Sequence, residues 1–172
     1  PYWFRFLQCL NKRYYTGSYL HLLNAGKYFS DMLVPFAGLP LWFTAYDHNT
    51  AWWVYFWVHM FASTYSYIWD IKMDFGLCRY WKRDEKWGLR EKLMYPVNFY
   101  WYMIVSDLIL RFVWIFGLYR YGNPNSTYNQ IQGTTLILII CEAFRRSQWA
   151  LLRVENEQCN NFEQYRTIPI IP

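Results

Sequence analysis

Three arginines lie within apolar segments of this sequence, where charged side chains are rare. Arg111 follows Asp107 by four residues, which places both on one face of a helix. Arg145 and Arg146 follow Glu142 by three and four residues, within one helical turn. A guanidinium group is always charged, and its planar set of donors suits the paired oxygens of an oxyanion. Oxyanion binding is therefore the chemistry that these residues could perform.

The depth of these arginines matters, because a charge at the centre of a bilayer costs about 2.5–3.5 kcal/mol even on a lenient insertion scale. The two helices carry three arginines and two carboxylates, so we predict one positive charge in excess. The competing interpretation is that the ion pairs only join helices, and for any single pair this is the more common case. The predicted excess favours an anion site.

The preceding apolar segment carries its own polar stripe. Helical spacing places five residues on one face, namely His59, Ser63, Ser66, Asp70 and Asp74. Asp70 directly follows Trp69 and is expected to reach the helix bundle, whereas Asp74 is equally compatible with a solvated place at the interface. A lone histidine on an aromatic helix is more often a packing residue than a proton relay or a metal ligand. We therefore expect no metal site and no cofactor.

Two further positions bear on a path for an anion. Lys27 and Tyr28 place an ammonium and a phenol at the inner mouth of the first apolar segment. Trp114 lies about one turn beyond Arg111, where its ring could block a path or simply fill space. The four cysteines are scattered and show neither a disulfide framework nor zinc-ligand spacing.

Composition and segment length both point to an all-α polytopic membrane protein. Aromatic residues make up 24% of the 172 residues, and tryptophan and tyrosine favour membrane interfaces. The mean hydropathy of −0.10 is low for such a protein, partly because the scale scores those two residues as polar. About 20 residues cross a bilayer. We predict four crossings, at about 24–46, 51–69, 95–119 and 131–152, after an amphipathic segment at 1–23.

Basic residues orient these crossings. Segment 71–94 holds seven lysines and arginines, and with the N-terminal stretch and the tail it carries most of the basic charge. The opposite side holds only Arg120, so both ends are expected in the cytoplasm. The glycosylation triplet 125–127 then falls outside. Segment 71–94 could also bind anionic lipids. We expect no binding of nucleic acid.

Several long motifs match one known family in the same order along the chain. They are PYWFRFLQCL, HLLNAGKY, IWDIKMDFGL, LREKLMYP, DLILRFVW, EAFRRSQWALLRVENEQCNN and EQYR. The chain resembles the EXS domain of the SPX–EXS phosphate exporter family over nearly all of residues 1–172. The resemblance implies a C-terminal part of the domain, cut from a longer membrane protein.

The resemblance also implies site residues and partners. The substrate-binding positions would be Lys27, Tyr28, Asp70, Arg111, Glu142, Arg145 and Arg146. Trp114 would be the gate, with Asp74 and Asp107 in support. The implied substrate is inorganic phosphate, exported across the plasma membrane or handled in the Golgi or another endomembrane. Inositol pyrophosphate would act only through an SPX domain that this chain lacks, and a homodimer is left open.

The sequence also departs from the family pattern at several points, among them Phe75 where a tryptophan is usual, and two alternative functions stay open. Residues 16–19 lack the basic side chain that relatives can carry there, Asp31 stands where a small neutral residue is usual, and the family's earlier helices are missing. One alternative is a non-transporting membrane scaffold whose buried charges only join helices. The other is a membrane enzyme acting on lipid phosphates, for which His59 is the only candidate base. No nucleophile–base pair or phosphate-binding glycine loop is visible, so we expect no enzyme.

Overall fold

The computed structural model describes residues 1–42, 48–77, 89, 93–121 and 127–160. Within these ranges every regular element is a helix, which confirms the all-α class. The chain divides into two compact units, Pro1–Ser66 and Tyr67–Pro172. Most of the predicted basic segment 71–94, the turn at residue 47 and the glycosylation triplet at 125 and 126 lie outside the described residues.

Six α-helices account for most of the described chain. In order they are α1 (Tyr2–Thr16), α2 (Tyr19–Gly38), α3 (His48–Trp69), α4 (Val97–Phe112), α5 (Trp114–Tyr121) and α6 (Tyr128–Asn160). A 3-10 turn at Leu39–Trp42 extends α2, and a π-helical turn at Asp70–Asp74 ends α3.

The predicted amphipathic segment 1–23 is two elements. α1 ends where Gly17 takes a left-handed conformation, with φ of 69°, and its N–H donates to the Arg13 carbonyl at 3.0 Å. Such a glycine is a common helix stop, because other residues adopt this conformation only with strain. α2 therefore begins at Tyr19, five residues before the predicted start at residue 24.

Helices α2 and α3 approach closely in the first unit at two glycines. An added Cβ at Gly26 would lie 3.2 Å from the Tyr65 hydroxyl, and one at Gly38 would lie 3.2 Å from the Tyr55 ring. The Tyr65 hydroxyl donates to the Leu23 carbonyl at 2.8 Å. Small residues at helix contacts, together with side-chain hydrogen bonds between helices, are typical of membrane bundles.

The second unit packs around a core that six buried residues form, namely Phe75, Leu77, Tyr100, Met103, Ile104 and Leu152. They come from the residues that directly follow the π-helical turn, from α4 and from α6. Among the described residues, one segment, Val97–Tyr119, is long and apolar enough by composition to span a membrane, with a mean hydropathy of 1.6. The four-crossing topology stays a prediction.

Two predicted elements differ from the structure in the second unit. The third crossing is interrupted at Val113, which separates α4 from α5. The fourth crossing continues well past residue 152, because α6 runs for 33 residues to Asn160. The polar residues that follow the predicted crossing are therefore helical as far as Asn160.

The π-helical turn at Asp70–Asp74 is closed by a specific set of contacts. The Phe75 N–H donates to the Asp70 carbonyl at 2.7 Å, five residues back, which is the hydrogen bond that defines a π turn. Gly76 follows in the left-handed region with φ of 64°. Asn156 of α6 donates through its amide nitrogen to the carbonyls of Met73 at 3.1 Å and Asp74 at 3.0 Å.

A substitution at Gly76 tests this ending. Gly76→Ala should lower the free energy of unfolding by about 1–3 kcal/mol, because alanine is strained at positive φ and its Cβ would overlap the Asn156 side-chain oxygen. Gly133→Ala is the matched control, since an added Cβ there meets no atom within 4 Å. Thermal unfolding in detergent measures both. Equal melting temperatures for the two variants would contradict the assigned geometry.

Candidate anion-binding site

Side chains from three elements of the second unit meet in one arginine–carboxylate cluster. Its members are Asp70, Asp107, Arg111, Glu142, Arg145 and Arg146. They come from the π-helical turn, from α4 and from α6. These are six of the residues that the sequence singled out, so helical spacing alone found most of the cluster.

Arg111 is held on two sides. One terminal nitrogen donates to the Asp70 carboxylate across the bundle. Its Nε lies 3.6 Å from Oδ2 of Asp107, one turn earlier on α4, which is an ion pair too long for a hydrogen bond. The Arg111 side chain is only 12% exposed, so these carboxylates are its main source of charge compensation.

Arg145 connects α6 to the other two elements. Its Nε and one terminal nitrogen donate to the two oxygens of Glu142, at 2.8 and 2.9 Å, in the bidentate arrangement that favours arginine over lysine. Its other terminal nitrogen reaches Oδ1 of Asp107 at 3.3 Å and Oδ2 of Asp70 at 3.7 Å. Arg145 thus contacts every carboxylate of the cluster.

Arg146 occupies the open side of the cluster. Its Nε donates to Glu142 at 2.7 Å, so one carboxylate serves both arginines, as its spacing predicted. The Arg146 side chain is 65% exposed and that of Glu142 is 43% exposed. In the described part of the chain, this is where the cluster presents positive charge outward.

The predicted excess of arginine is wrong. The prediction counted the carboxylates of two helices, whereas Asp70 enters from the π-helical turn as a third. The cluster therefore pairs three arginines with three carboxylates, and every arginine contacts at least one of them. Charge excess can no longer argue for an anion site, and the case must rest on geometry and on the donors that the ion pairs leave unused.

Asp74 lies four residues after Asp70, at the end of the π-helical turn. The sequence left open whether its side chain is solvated or packed inside the bundle. It is 8% exposed, so a solvated interfacial place is excluded. Its Oδ2 accepts from the Trp149 indole nitrogen at 3.0 Å, and its Oδ1 lies 3.7 Å from a terminal nitrogen of Arg153. Arg153 also stacks over the Trp149 ring at 4.9 Å. Asp74 thus supports α6 just below the cluster.

Lys27 and Tyr28 belong to the first unit. Lys27 is 9% exposed, with its ammonium 5.6 Å from the centre of the Tyr28 ring. Asp31, one turn on, accepts a hydrogen bond from Ser66 at 3.2 Å. A role for Lys27 and Tyr28 on an anion path stays a prediction.

Trp114 is the first residue of α5, immediately after the interruption at Val113. The Phe116 N–H donates to the Val113 carbonyl at 3.0 Å, three residues back, so the chain is tightened at this point. The Trp114 side chain is partly exposed. The action of Trp114 as a gate stays a prediction.

His59 packs edge-on against Tyr55, with ring centroids 5.5 Å apart and an interplanar angle of 72°. This contact agrees with the packing interpretation. Among the described residues no group of histidine, cysteine or acidic side chains could hold a metal ion.

Sequence reasoning missed two buried polar residues on the last turns of α6, Glu155 and Asn156, each 3% exposed. Glu155 accepts from the Tyr100 hydroxyl and, at 3.0 Å, from the Met94 N–H just before α4. Asn156 holds the π-helical turn that carries Asp70. Both continue the buried face of Arg145 at helical spacing, and extending the periodicity past residue 152 would have found them.

Comparison with known proteins places the chain in a family. The model of the EXS family matches residues 1–159. Solute carrier family 53 member 1 of Mus musculus is 36% identical over 176 residues, covering 98% of this chain and 25% of the mouse protein. The human protein of that name is 35% identical with the same coverage. The Xenotropic and polytropic retrovirus receptor 1 homolog of Xenopus laevis is 36% identical over 174 residues.

The helical fold and these matches define the class, an all-α integral membrane protein. More specifically, the chain belongs to the EXS family, since the family model and relatives above 30% identity both cover nearly all of it. The chain spans about a quarter of the length of these relatives.

Proposed function

We propose that this domain takes part in the membrane transport of inorganic phosphate, with the arginine–carboxylate cluster as the place where the anion binds. The direction would be export, across the plasma membrane or an endomembrane. Two matched relatives are named as solute carriers, which supports transport as the class of activity. Phosphate as the solute rests on the family resemblance and on the chemistry of arginine.

One observation carries the proposal at the level of the site. Arg111 Nε is buried, and in the described part of the chain it has no hydrogen-bond acceptor, although the side chain lies among carboxylates. A buried donor left unused costs about 1–3 kcal/mol, so it is expected where a ligand or water completes the site. An anion oxygen would supply the missing acceptor.

The three carboxylates would help to release the anion as well as hold the arginines in position. Fully uncompensated arginines at bilayer depth would hold an oxyanion tightly, and a transport site must also let it go. Asp70 and Glu142 fix the guanidinium planes while they offset the positive charge. The anion would compete with these carboxylates for the arginine donors, which keeps binding weak and exchange fast.

Flux through the intact protein tests the proposal. The purified protein, reconstituted into liposomes loaded with radiolabelled phosphate, should release the label faster than protein-free liposomes do. Release should saturate with internal phosphate concentration, because binding to a site limits it. Release at the protein-free rate, from protein shown to be folded and inserted, would contradict the function.

A membrane scaffold is the second candidate, and the charge balance of the cluster favours it. With three arginines matched by three carboxylates, the ion pairs are sufficient to join α4, α6 and the π-helical turn without a ligand. Under this alternative the cluster matters only for assembly. Variants that keep the charge balance distinguish the two functions.

A further inference from the structure

Two atoms of the cluster lack hydrogen bonds and face each other. Oδ2 of Asp107 and Nε of Arg111 are both buried, and within the described residues neither has a hydrogen-bond partner. They are 3.6 Å apart. The residue Asp107 is only 3% exposed, and its other oxygen accepts from Arg145 at 3.3 Å. The site thus offers one unused donor beside one unused acceptor.

A single hydroxyl oxygen would satisfy both atoms. An oxygen lying to one side of the line that joins them reaches each at about 2.8 Å, a normal hydrogen-bond distance. It would accept from the Arg111 N–H and donate its own proton to the Asp107 carboxylate. An oxygen without a proton would accept equally well from Arg111. It could not donate to Asp107, and its lone pairs would be repelled by those of the carboxylate.

We infer that Asp107 is a specificity-determining residue, which admits a protonated oxyanion and rejects a fully ionised one. The inference rests on the proposed function and names its substrate class. Inorganic phosphate still carries at least one proton at neutral pH, whereas sulfate carries none. Arginines alone bind either anion, so discrimination has to come from an acceptor among them. Asp107 is the acceptor placed beside a free donor.

The expected discrimination is large. A site built to hydrogen-bond a substrate hydroxyl rejects analogues that lack it far more strongly than an apolar pocket rejects a missing methyl group, because buried polar groups are left unpaired. Here the rejected anion would also face a carboxylate. We expect the intact protein to pass phosphate at least about a thousandfold faster than sulfate at equal concentration, which is still below the roughly 10⁴–10⁵-fold that sites built to hydrogen-bond a substrate hydroxyl can reach.

Variants at Asp107 test the inference in reconstituted liposomes. Asp107→Asn replaces the carboxylate with an amide that can donate, so the ratio of phosphate flux to sulfate flux should fall about tenfold or more, equivalent to about 1.4 kcal/mol for each factor of ten. Asp107→Glu keeps an acceptor and should retain most of the selectivity. Ser106→Ala is the matched control on the same helix, because its hydroxyl donates to Gln148 and not to the cluster. It should leave the ratio unchanged.

A test without mutation covers the case in which Asp107→Asn fails to fold. Monofluorophosphate has nearly the shape and charge of monohydrogen phosphate but carries fluorine in place of the hydroxyl group. The wild-type protein should pass it about as poorly as sulfate. Equal rates for phosphate, sulfate and monofluorophosphate would overturn the inference and leave the proposed function standing. No flux of any of the three would contradict the proposed function itself.

Discussion

Replacing Arg111 with glutamine is expected to lower phosphate flux by roughly ten- to hundredfold. A hydrogen bond to a charged group contributes about 1.5–3 kcal/mol, which corresponds to that range of rates. Arg111→Lys should restore little of the loss, because an ammonium keeps the charge but not the planar set of donors that spans Asp70 and the anion. Flux per folded protein in reconstituted liposomes is the measurement.

The controls for this result lie on the same chain. Arg5→Gln removes an arginine from the exposed face of α1, where its partner is Gln8 at 3.0 Å, and should leave flux unchanged. Arg146→Gln should have a smaller effect than Arg111→Gln, because the Arg146 side chain is 65% exposed and contacts one carboxylate, whereas that of Arg111 is 12% exposed and contacts two. If Arg111→Gln and Arg5→Gln transport equally well, Arg111 has no part in binding the anion.

Replacing Asp70 with asparagine should strengthen the binding of phosphate, whereas replacing Arg111 should weaken it. Asp70→Asn takes one carboxylate away from Arg111 and Arg145, so the cluster gains net positive charge. Breaking a buried pair from one side costs about 3–5 kcal/mol, and the variant should be less stable without ligand. Phosphate should then raise its melting temperature more than that of the wild type, since an anion replaces the missing charge.

The same variant should transport more slowly at saturation. Tighter binding lowers the phosphate concentration that gives half the maximal flux, but it also slows release, so the maximal flux should fall. Thermal shift in detergent and flux against phosphate concentration measure the two effects. A variant that phosphate does not stabilise beyond the wild type would contradict the idea that Asp70 competes with the anion for the arginines.

Helical spacing predicted the contacts of the site that join residues three or four positions apart on one helix. Asp107 with Arg111, and Glu142 with Arg145 and Arg146, are joined within a single turn, and the structure has both sets of contacts. The charge balance is not local. It depends on a carboxylate from another element, and one extra carboxylate was enough to make the predicted excess wrong.

Two of the features that were missed, the π turn and the break at Val113, depend on backbone conformations without a sequence signal. The sequence around Asp70 and Asp74 does not distinguish a π turn from an α turn. The π turn depends on Asn156 of α6, whose amide nitrogen donates to two carbonyls of the turn. Likewise the break at Val113 lies in a uniformly apolar segment. The polarity of residues 153–160 suggested an exposed tail, although Glu155 and Asn156 are buried against the turn and the start of α4.

A charge-balanced double variant tests most directly whether the cluster binds the anion or only joins helices. Glu142→Gln combined with Arg145→Gln removes one charge of each sign and the bidentate pair between them. The net charge of the cluster is kept, and Arg146 loses its carboxylate where its side chain is 65% exposed. Asp70 and Asp107 keep Arg111 as a partner, so the protein should still fold and insert. With the anion site at Arg145, phosphate flux should fall at least about tenfold although the melting temperature is nearly that of the wild type. Wild-type flux from this folded variant would contradict the account and leave the cluster as a structural support.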